Sequence, residues 1–320
     1  MNNKTKKTAL VCGGAGFIGS NMCGKLLKQG KNVICVDNLY TGKVSNIQEF
    51  MHNESFKFMH ENIQKLGNIH LKQDYTITEI YNFACPASPP AYQAEPLATI
   101  DTCYNGTKQL LEIALATGAK MFHASTSEVY GNPTEHPQKE TYHGNVNTFG
   151  PRACYDEGKR IAETLCYEYI NQYKVDVKIG RIFNTFGPKM SPNDGRVIPN
   201  FIMQALENKC LTIYGDGTQT RSFQYIDDLL NGIECLMNSN LNEPVNLGTD
   251  CEMTMNDVAE AIMFLVNKPN LKISHLELPK DDPIVRRPDL TIARLIGHTQ
   301  SVRFMDGLMK TIDWFAANHC

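Results

Sequence analysis

Residues 153–160 read "ACYDEGKR", which places Tyr155 and Lys159 four positions apart. On an α-helix these two side chains share one face. Gly158 lies between them and would leave space for a close approach, although glycine weakens a helix interior by roughly 0.5–1 kcal/mol relative to alanine. An ammonium beside a phenol favours the phenolate, and a tyrosine tuned in this way can act as a general base. The octet alone also fits the solvated polar face of a surface helix.

A second polar stretch, "ASTSEVYG" at residues 124–131, directly follows the predicted fifth strand. In an open parallel sheet, ligands bind outside the carboxyl ends of the strands. Ser125 to Glu128 are therefore expected to face a ligand. The alternative is an ordinary polar transition from strand to loop.

A glycine-rich stretch, "TALVCGGAGFIGS" at residues 8–20, places Gly13, Gly16 and Gly19 at a GxxGxxG spacing. It follows a predicted strand and opens a predicted helix, where such glycines let a pyrophosphate approach the helix N-terminus. Asp37 ends the next predicted strand, where a carboxylate can hold ribose hydroxyls and would repel a ribose phosphate. The pattern predicts NAD rather than NADP, with the tyrosine–lysine pair close to the nicotinamide. The alternative is a structural turn with a surface aspartate.

These residues need a sheet and helices to position them. The first ~180 residues alternate β-rich runs with amphipathic helical segments, the pattern of a doubly wound parallel sheet. After Gly187 the chain is rich in Pro, Gly and Asn, which indicates a smaller domain that covers the ligand. The predicted strands are "TALVCGG", "KNVICVDN", "FKFMH", "EIYNFA", "KMFHAST" and "VDVKIGRIF", and the predicted helices lie near residues 17–29, 95–117 and 153–172.

The sequence thus predicts an α/β fold, a doubly wound parallel Rossmann sheet with a smaller C-terminal α/β substrate domain. The NAD-binding Rossmann domain is assigned to residues 1–186. Residues 187–320 mainly form the second domain, and residues 225–250 are expected to return to the first as a helix and a strand.

The composition of the 320 residues is that of an ordinary globular protein, with 42% hydrophobic residues, 20% charged residues and a formal net charge of −3. No basic block favours nucleic acid. No apolar run reaches the ~18 residues of a membrane span, and none is typical of a signal peptide. The eleven cysteines are scattered and lack a CxxC motif, which favours reduced thiols over a disulfide framework. We therefore expect a cytoplasmic protein without a nucleic-acid or membrane partner.

Longer motifs narrow the function. They are "NFACPASPPAY", "HPQKETYHGNVNTFGPRACYDEGKRIAETLC", "RIFNTFGPKMSPNDGRV", "YGDGTQTRSFQY" and "DDPIVRRPDL". With the glycine loop, Asp37 and the YxxxK pair, they closely resemble the UDP-glucuronate decarboxylases, also called UDP-xylose synthases, of the extended short-chain dehydrogenase/reductase superfamily. The similarity covers about residues 8–318. It implies an NAD-binding first domain and a UDP-sugar-binding second domain.

The resemblance also implies roles for individual residues. Thr126 would hydrogen-bond the sugar C4 hydroxyl. Tyr155 would be the base, and Lys159 would orient both Tyr155 and the nicotinamide ribose. Ser127 and Glu128 would lie near the sugar carboxylate and C5.

Further ligand contacts follow from the same resemblance. Asn184 and Arg221 would hold the diphosphate, a role that suits amide and guanidinium donors. The implied cofactor-binding residues are Gly13, Gly16, Phe17, Ile18, Gly19, Asp37, Asn38, Tyr40, Thr41, Gly42, Glu61, Asn62, Phe83, Ala84, Tyr155, Lys159 and Thr185. The implied substrate-binding residues are Pro86, Tyr92, Asn184, Arg196, Tyr214, Arg221 and Arg286.

Arg286 also matches a catalytic arginine of the family, where a guanidinium could stabilise anionic groups of the substrate. Arg287 is adjacent, and two neighbouring side chains on an extended segment cannot both point into one site. The family pattern selects Arg286. The alternative is a surface arginine paired with Asp281 or Asp282.

The implied reaction needs no metal. Oxidation at C4 by NAD leaves a ketone β to the C5 carboxylate, and such an acid loses CO2 because the ketone accepts the electrons as an enolate, which Tyr155 can stabilise. Protonation at C5 and return of the hydride then convert UDP-glucuronate into UDP-xylose and regenerate NAD.

Three alternatives to this reaction stay open. A nucleotide-sugar 4,6-dehydratase is disfavoured because Ser127 is a poor acid for a leaving hydroxyl. A 4-epimerase needs no basic group such as Arg286 for a carboxylate. A non-catalytic NAD-binding sensor is disfavoured by the intact set of Thr126, Tyr155 and Lys159.

The resemblance implies a homodimer built from the helices near residues 95–117 and 153–172. Both helices carry apolar residues beyond one core-facing stripe, namely Leu110, Leu111, Leu115, Leu165 and Tyr169. The alternative is that these residues pack on their own sheet.

The chain departs from the family pattern in a few places. Asp101 and Cys103 stand where relatives usually carry lysine and asparagine, and loss of the lysine would weaken NAD binding. Glu61 replaces an aspartate near the adenine region, and "LIGHTQ" replaces a leucine-glycine-tryptophan segment.

Overall fold

The computed structural model describes residues 7–67, 75–277 and 285–319. Its strands in chain order are β1 (Thr8–Cys12), β2 (Asn32–Asp37), β3 (Phe56–His60), β4 (Ile77–Asn82), β5 (Lys120–Thr126), β6 (Val177–Ile182), β7 (Thr185–Phe186), β8 (Leu211–Tyr214), β9 (Thr220–Ser222), β10 (Gln224–Tyr225), β11 (Val245–Leu247), β12 (Glu252–Thr254), β13 (Ile273–Leu276) and β14 (Val285–Arg286).

The helices follow the strands in alternation over the first half of the chain. They are α1 (Phe17–Lys28), α2 (Pro89–Ala94), α3 (Pro96–Asp101), α4 (Thr107–Thr117), α5 (Ala153–Tyr173), α6 (Val197–Leu206), α7 (Ile226–Asn238), α8 (Met255–Leu265), α9 (Thr291–Leu295) and α10 (Phe304–His319).

Within the described residues, seven strands form the main sheet in the order β11-β6-β5-β4-β1-β2-β3, and each neighbouring pair is parallel. The predicted doubly wound parallel sheet is confirmed. Strand β1 pairs with both β2 and β4, so the strand order reverses there. Ligands of such sheets bind in the crevice outside the carboxyl ends of the strands at this reversal.

Two apolar clusters cover the two faces of the sheet. Successive side chains of a strand point to opposite faces. Accordingly, Ala9 and Val11 of β1 belong to one cluster, and Leu10 and Cys12 belong to the other. Because helices cover both faces, the inner strands are nearly continuous apolar runs.

The second half of the chain forms short sheets beside the main one. Strand β8 pairs with β13, β7 pairs with β10, and β9 lies between β12 and β14. Helices α6, α8 and α10 contribute buried residues to the same apolar cluster as one face of the main sheet. Strand β11 joins the main sheet beside β6, and α7 packs near it.

The helix predicted near residues 95–117 differs from the structure. It is divided into α3, a π-helical segment over Thr102–Gly106, and α4. A side chain at Gly106 would lie 2.4 Å from Ile63 Cδ1, so the backbone approaches a neighbouring segment closely at this bulge. The predicted strand "KMFHAST" coincides with β5, so Ser125 and Thr126 end that strand and Ser127 follows it.

The apolar residues chosen for a dimer interface were mostly wrong. Leu110 and Leu111 are completely buried in the chain's own core, and Tyr169 and Leu165 pack into the same cluster. Among the chosen residues, Leu115 is the one that the structure leaves exposed. Helical periodicity identifies apolar faces but does not distinguish a face that packs on its own sheet from one that meets a partner.

In the described part of the chain, no helix is long and apolar enough to cross a membrane. The ten cysteines of that part are free thiols.

Candidate functional site

A cleft of about 1440 Å³ runs along the carboxyl ends of the main-sheet strands. Its walls include the ends of β2, β5 and β6 on one side and residues of the short sheets on the other. Of the predicted site residues, all except Gly42 line this cleft. The structure therefore brings together residues from Gly13 to Arg286, which are distant in the sequence.

The glycine turn opens α1 with very close backbone contacts. A side chain at Gly13, whose φ is +73°, would lie 2.7 Å from the Phe83 carbonyl. A side chain at Gly19 would lie 2.2 Å from the Gly13 oxygen. Gly16 is the N-cap of α1 and offers no capping side chain, so the helix N-terminus faces the cleft without an internal cap. This arrangement fits a pyrophosphate, whose charge suits the helix N-terminus.

Asp37 ends β2 beside this turn. Its carboxylate accepts hydrogen bonds from the backbone N–H groups of Ala15 at 2.9 Å and Leu39 at 2.8 Å. Burial raises the pKa of Asp37 above its usual value, while these backbone donors oppose the shift. A carboxylate offers about four acceptor sites, so Asp37 can still accept ribose hydroxyls. Gly42 packs behind it, because a side chain at Gly42 would meet the Asp37 carboxylate at 2.8 Å.

Tyr155 lies on the first turn of α5 and is 5% exposed. Its ring stacks on that of Tyr92, with centroids 4.9 Å apart and an interplanar angle of 9°. Burial raises the pKa of Tyr155 well above its usual value, although a hydrogen bond with Thr126 lowers it. In the protein without its cofactor, burial outweighs the effect of Thr126, and the expectation that Lys159 and a cationic nicotinamide together favour the phenolate stays a prediction.

Lys159 is held one turn further along α5. Its ammonium donates a hydrogen bond to the Ala124 carbonyl at 2.8 Å, which anchors it at the end of β5. The ammonium lies 5.8 Å from the centroid of the Tyr155 ring. The i,i+4 spacing thus places both groups on one side of the helix, against the end of the sheet.

A buried charged group occupies the opposite wall. Arg286 is 3% exposed and forms an ion pair with Glu128. It also donates hydrogen bonds to the Ser127 hydroxyl at 3.3 Å and the Gly131 carbonyl at 3.0 Å. Arg152 donates to the other oxygen of Glu128 at 2.6 Å. We call Glu128, Arg152, Arg286 and the adjacent Asp156 the Glu128 cluster.

The two guanidinium groups determine the charge of Glu128. Burial alone would raise the pKa of Glu128, but Arg286 and Arg152 outweigh burial and lower it to about 2. Asp156 behaves in the opposite way, since burial and the nearby Glu128 charge raise its pKa to about 7. Its Oδ1 atom has no hydrogen-bond partner among the described residues. The cluster therefore combines a fixed carboxylate with one that titrates near neutrality.

The two adjacent arginines point in different directions. Arg286 lies in β14 opposite Arg221 of β9, and both residues line the cleft. Arg287 is more exposed and lies 3.6 Å from Glu252. The predicted alternative pairing with Asp281 or Asp282 falls outside the described residues.

Thr185, predicted to bind the cofactor, and the predicted substrate residues Asn184, Arg196 and Tyr214 also line the cleft. Thr185 is buried and accepts a hydrogen bond from the Gln224 amide at 3.1 Å. Arg196 is ion-paired with Asp194, which also lines the cleft.

The departures from the family pattern also have defined places. Asp101 lines the cleft and accepts a hydrogen bond from the Gln64 amide at 3.0 Å. Glu61 caps the Asn62 backbone N–H at 2.9 Å. Cys103 lies in the π-helical segment, with its sulfur 3.4 Å from that of Cys85.

Comparisons with known proteins relate this site to a family. A family model described as GDP-mannose 4,6 dehydratase matches residues 10–288. UDP-glucuronic acid decarboxylase 1 from Danio rerio is 47% identical over 317 residues, which is 99% of this chain and 74% of that protein. The chain belongs to the UDP-glucuronic acid decarboxylase family. This family lies within the extended short-chain dehydrogenase/reductases, as the sequence motifs indicated.

Solved structures of sugar-nucleotide enzymes are similar over nearly the whole chain. A UDP-glucose 4-epimerase from Thermotoga maritima has a TM-score of 0.89 and 26% identity, covering 97% of this chain and 99% of its own. A UDP-glucuronic acid 4-epimerase mutant from Bacillus cereus, in complex with UDP-4-deoxy-4-fluoro-glucuronic acid and NAD, has a TM-score of 0.86 and 29% identity with the same coverage.

Sequence reasoning missed Arg152 and Asp156 of this family member. Both flank Tyr155 in "RACYDEGK", and their spacing of four on a helix was an available signal for a charged pair. It missed Asp194 as well, which stands two residues before Arg196. In the described residues, no group of three or more His, Cys, Asp or Glu side chains could hold a metal ion.

Proposed function

We propose that this protein decarboxylates UDP-glucuronate to UDP-xylose with NAD as a retained cofactor. The observation that carries the proposal is the cleft in which Tyr155 and Lys159 share a site with the buried Arg286–Glu128 pair. Curated relatives named UDP-glucuronic acid decarboxylase, at 43–47% identity over most of the chain, support the same reaction. In this proposal residues 1–186, with 225–250, hold NAD, and residues 187–320 mainly bind the UDP-sugar.

The cofactor supplies the hydride acceptor at C4 and returns the hydride at the end of the cycle. The uncapped N-terminus of α1 would hold its pyrophosphate, and Asp37 would hold its adenosine ribose. NAD-bound neighbours of the same fold support this assignment.

Tyr155 removes the proton of the C4 hydroxyl in this proposal, and Thr126 orients that hydroxyl. Tyr92 stacks on the Tyr155 ring and limits its rotation. Because burial raises the pKa of Tyr155, the base needs positive charge additional to that of Lys159. Lys159 has its ammonium fixed by the Ala124 carbonyl and contributes part of that charge.

The Glu128 cluster would receive the sugar carboxylate. Its two guanidinium groups and the ionised Glu128 sum to one positive charge, and Asp156, with a pKa of about 7, only partly offsets it at neutral pH. The remaining positive charge can attract an anion. Glu128 already compensates part of the positive charge of Arg286, so the attraction of Arg286 to the substrate carboxylate is weakened. This favours decarboxylation, because a strong ion pair to the departing carboxylate would stabilise the ground state more than the transition state.

The rival reactions fit the site less well. A 4,6-dehydratase needs a proton donor at position 127, but the Ser127 hydroxyl accepts a hydrogen bond from Arg286 and is not an acid of suitable pKa. One of the structurally similar proteins is itself a 4-epimerase in complex with a UDP-glucuronic acid analogue. The 4-epimerase reaction must therefore be tested directly.

Incubation of the purified protein with UDP-glucuronate and NAD, followed by NMR of the sugar, separates these reactions. We expect UDP-xylose and CO2 without net accumulation of NADH. UDP-galacturonate as the product would show a 4-epimerase instead. The absence of turnover while NAD is bound would favour the sensor.

We also propose a homodimer through the exposed face of α3, α4 and α5. The exposed apolar residues of these helices and of the π-helical segment between α3 and α4 are Leu97, Ile100, Tyr104, Leu115, Ile161 and Tyr167. These exposed residues take the place of the buried Leu110, Leu111 and Tyr169, which the sequence had suggested as the dimer interface. Light scattering at micromolar concentration should give a dimer mass, and Leu97→Asp, at an 80% exposed position, should give a monomer. A monomer mass for the parent would contradict the proposal. The predicted cytoplasmic location stays a prediction.

A further inference from the structure

Two thiols lie in contact beside the cleft. Cys85 follows β4 and lines the cleft wall, and Cys103 lies behind it, 2% exposed. Their sulfur atoms are 3.4 Å apart. The reaction proposed above has no role for either thiol.

The backbone around Cys103 is unusual. Cys103 lies in the π-helical segment Thr102–Gly106 between α3 and α4. Such single-turn π segments are rare and often occur at functional sites. The sulfur also packs on α5 between Tyr155 and Lys159, because a side chain at Gly158 would meet Cys103 Sγ at 3.0 Å. The thiol pair is therefore in contact with the helix that carries the predicted base.

The electrostatic environment lowers the pKa of Cys85, the less buried member of the pair. A hydrogen bond from Cys103 and the nearby charge of Lys159 lower the pKa of Cys85, against the effect of burial. The same interaction raises the pKa of Cys103. Thiolates are the form that reacts with oxidants. Cys85 thus has both access from the cleft and a thiol partner.

We propose that Cys85 and Cys103 form a modification site at which a hydroperoxide produces a reversible disulfide that inhibits the enzyme. The Cys85 thiolate attacks one peroxide oxygen, the O–O bond breaks, and the Cys85 sulfenic acid forms as hydroxide leaves. The Cys103 sulfur then attacks the sulfenic sulfur. The S–S bond forms, the S–O bond breaks, and the Cys103 proton leaves with the oxygen as water. In total, two thiols and one hydrogen peroxide give one disulfide and two waters.

Inhibition follows from the change in distance. A disulfide holds its sulfur atoms about 2.05 Å apart, whereas the thiols are 3.4 Å apart. Closing that gap shifts the loop between Ala84 and Pro86 toward α5, or α5 toward the loop. Displacements of about 1 Å in a catalytic site can lower the rate by about a hundredfold. Reduction of the disulfide restores the original distance.

Mass spectrometry tests the site directly. Residues 73–108 contain Cys85 and Cys103 and no other cysteine, and trypsin releases them as one peptide. After treatment with hydrogen peroxide and alkylation of the remaining thiols, we expect this peptide to lose two hydrogen atoms and to resist alkylation. Further cleavage before Asp101 separates the two cysteines, and the fragments should stay linked until dithiothreitol is added.

Activity is measured on the same samples. Turnover of UDP-glucuronate should fall by on the order of ten- to a hundredfold as the disulfide forms, and dithiothreitol should restore it. Cys103→Ser should keep the activity of the parent and resist peroxide. Cys103→Asn serves as a second variant if the serine does not fold.

The chain offers two internal controls. Cys210 and Cys251 are exposed, so a Cys210→Ser/Cys251→Ser protein should remain sensitive to peroxide. Cys23 and Cys35 are neighbouring thiols that are completely buried, and neither is among the described residues that line the cleft. They should stay reduced.

Three results would overturn the proposal. The first is a 73–108 peptide without an internal disulfide at peroxide concentrations that oxidise Cys210. The second is formation of the disulfide without loss of activity. The third is loss of activity of the Cys103 variants at the same peroxide concentration as the parent. The mass measurement does not depend on the reaction catalysed. A failure of the decarboxylase assignment therefore gives a different result from a failure of this proposal.

Discussion

The glycine turn and the Glu128 cluster lie along one cleft but are built differently. The turn is local, since Gly13 to Asp37 run from the end of β1 through α1 to the end of β2. At Gly13 and Gly19 an added Cβ would lie only 2.2–2.8 Å from backbone atoms, so a side chain is excluded there. The cluster joins Glu128 and Arg152 to Arg286, which lies 158 residues from Glu128 in the chain, and these groups are held together by charge.

The difference predicts different sensitivities. A backbone turn fails when bulk is added, because its atoms cannot move apart without displacing the helix. A buried ion cluster fails when one partner is removed, because the remaining charge is left without compensation. Tyr155 belongs to neither construction, since it depends on α5 for its position and on burial for its pKa.

Tyr155→Phe should have the largest effect, because it removes the base that both regions serve. We expect turnover of UDP-glucuronate to fall by about 10²–10⁴-fold while NAD still binds. Product NMR and NAD titration are the measurements. Activity within about tenfold of the parent would exclude Tyr155 as the base.

Arg286→Ala should break the cluster and leave the turn intact. We expect a loss of about 10²–10³-fold in turnover and a loss of roughly 3 kcal/mol in the free energy of unfolding, because Glu128 keeps Arg152 as a partner. Unfolding in denaturant and product NMR measure the two effects.

Arg287→Ala is the matched control for Arg286→Ala. Arg287 is partly exposed and lies 3.6 Å from Glu252, so its loss should cost no more than about 1 kcal/mol and little activity. Equal activities of both variants, near that of the parent, would remove Arg286 from the site.

Gly19→Ala should break the turn and leave the cluster intact. The added methyl group would lie 2.2 Å from the Gly13 oxygen, so the turn must shift. We expect NAD affinity to fall by about tenfold or more, or about 1.4 kcal/mol. Gly67→Ala is the control, because a side chain there meets nothing within 4 Å. If both variants bind NAD like the parent, the turn does not hold the cofactor.

Asp156→Asn should change how the free energy of unfolding depends on pH, because Asp156 belongs to the Glu128 cluster and not to the glycine turn. The pKa of Asp156 is raised from 3.8 to about 7, so the folded state binds one more proton than the unfolded state between these values. The contribution of Asp156 to the free energy of unfolding therefore falls as pH rises from about 4 to about 7, by about 1.4 kcal/mol per pH unit. The asparagine variant lacks this loss.

The measurement for Asp156→Asn is the free energy of unfolding in urea at pH 5 and pH 7. The difference between variant and parent should change by about 2–3 kcal/mol in favour of the variant. A difference that does not depend on pH would show that Asp156 is ionised in the folded protein throughout this range.

The turn could be predicted from the sequence because its information is local. The spacing of Gly13, Gly16 and Gly19 and the position of Asp37 at a strand end follow from rules of short range. The Tyr155–Lys159 pair was found for the same reason, since a helix places residues four apart on one face.

The cluster could not be assembled in this way. Arg286 was found only through the family resemblance, because 158 residues separate it from Glu128 and no spacing rule joins them. The raised pKa of Tyr155 depends on the amount of burial, which a sequence does not state. Leu110 and Leu111 were misassigned because an apolar pattern does not name the surface that it contacts.

The distance along the chain between Glu128 and Arg286 also bears on biosynthesis. Strands β1 to β6 end at Ile182, so the nucleotide-binding sheet can begin to form before the 138 residues that follow have been added to the chain. Arg286, which pairs with Glu128, is synthesised 158 residues later. The nascent protein can therefore acquire its cofactor platform before it can act on a sugar, and competence for catalysis arrives only near the end of translation.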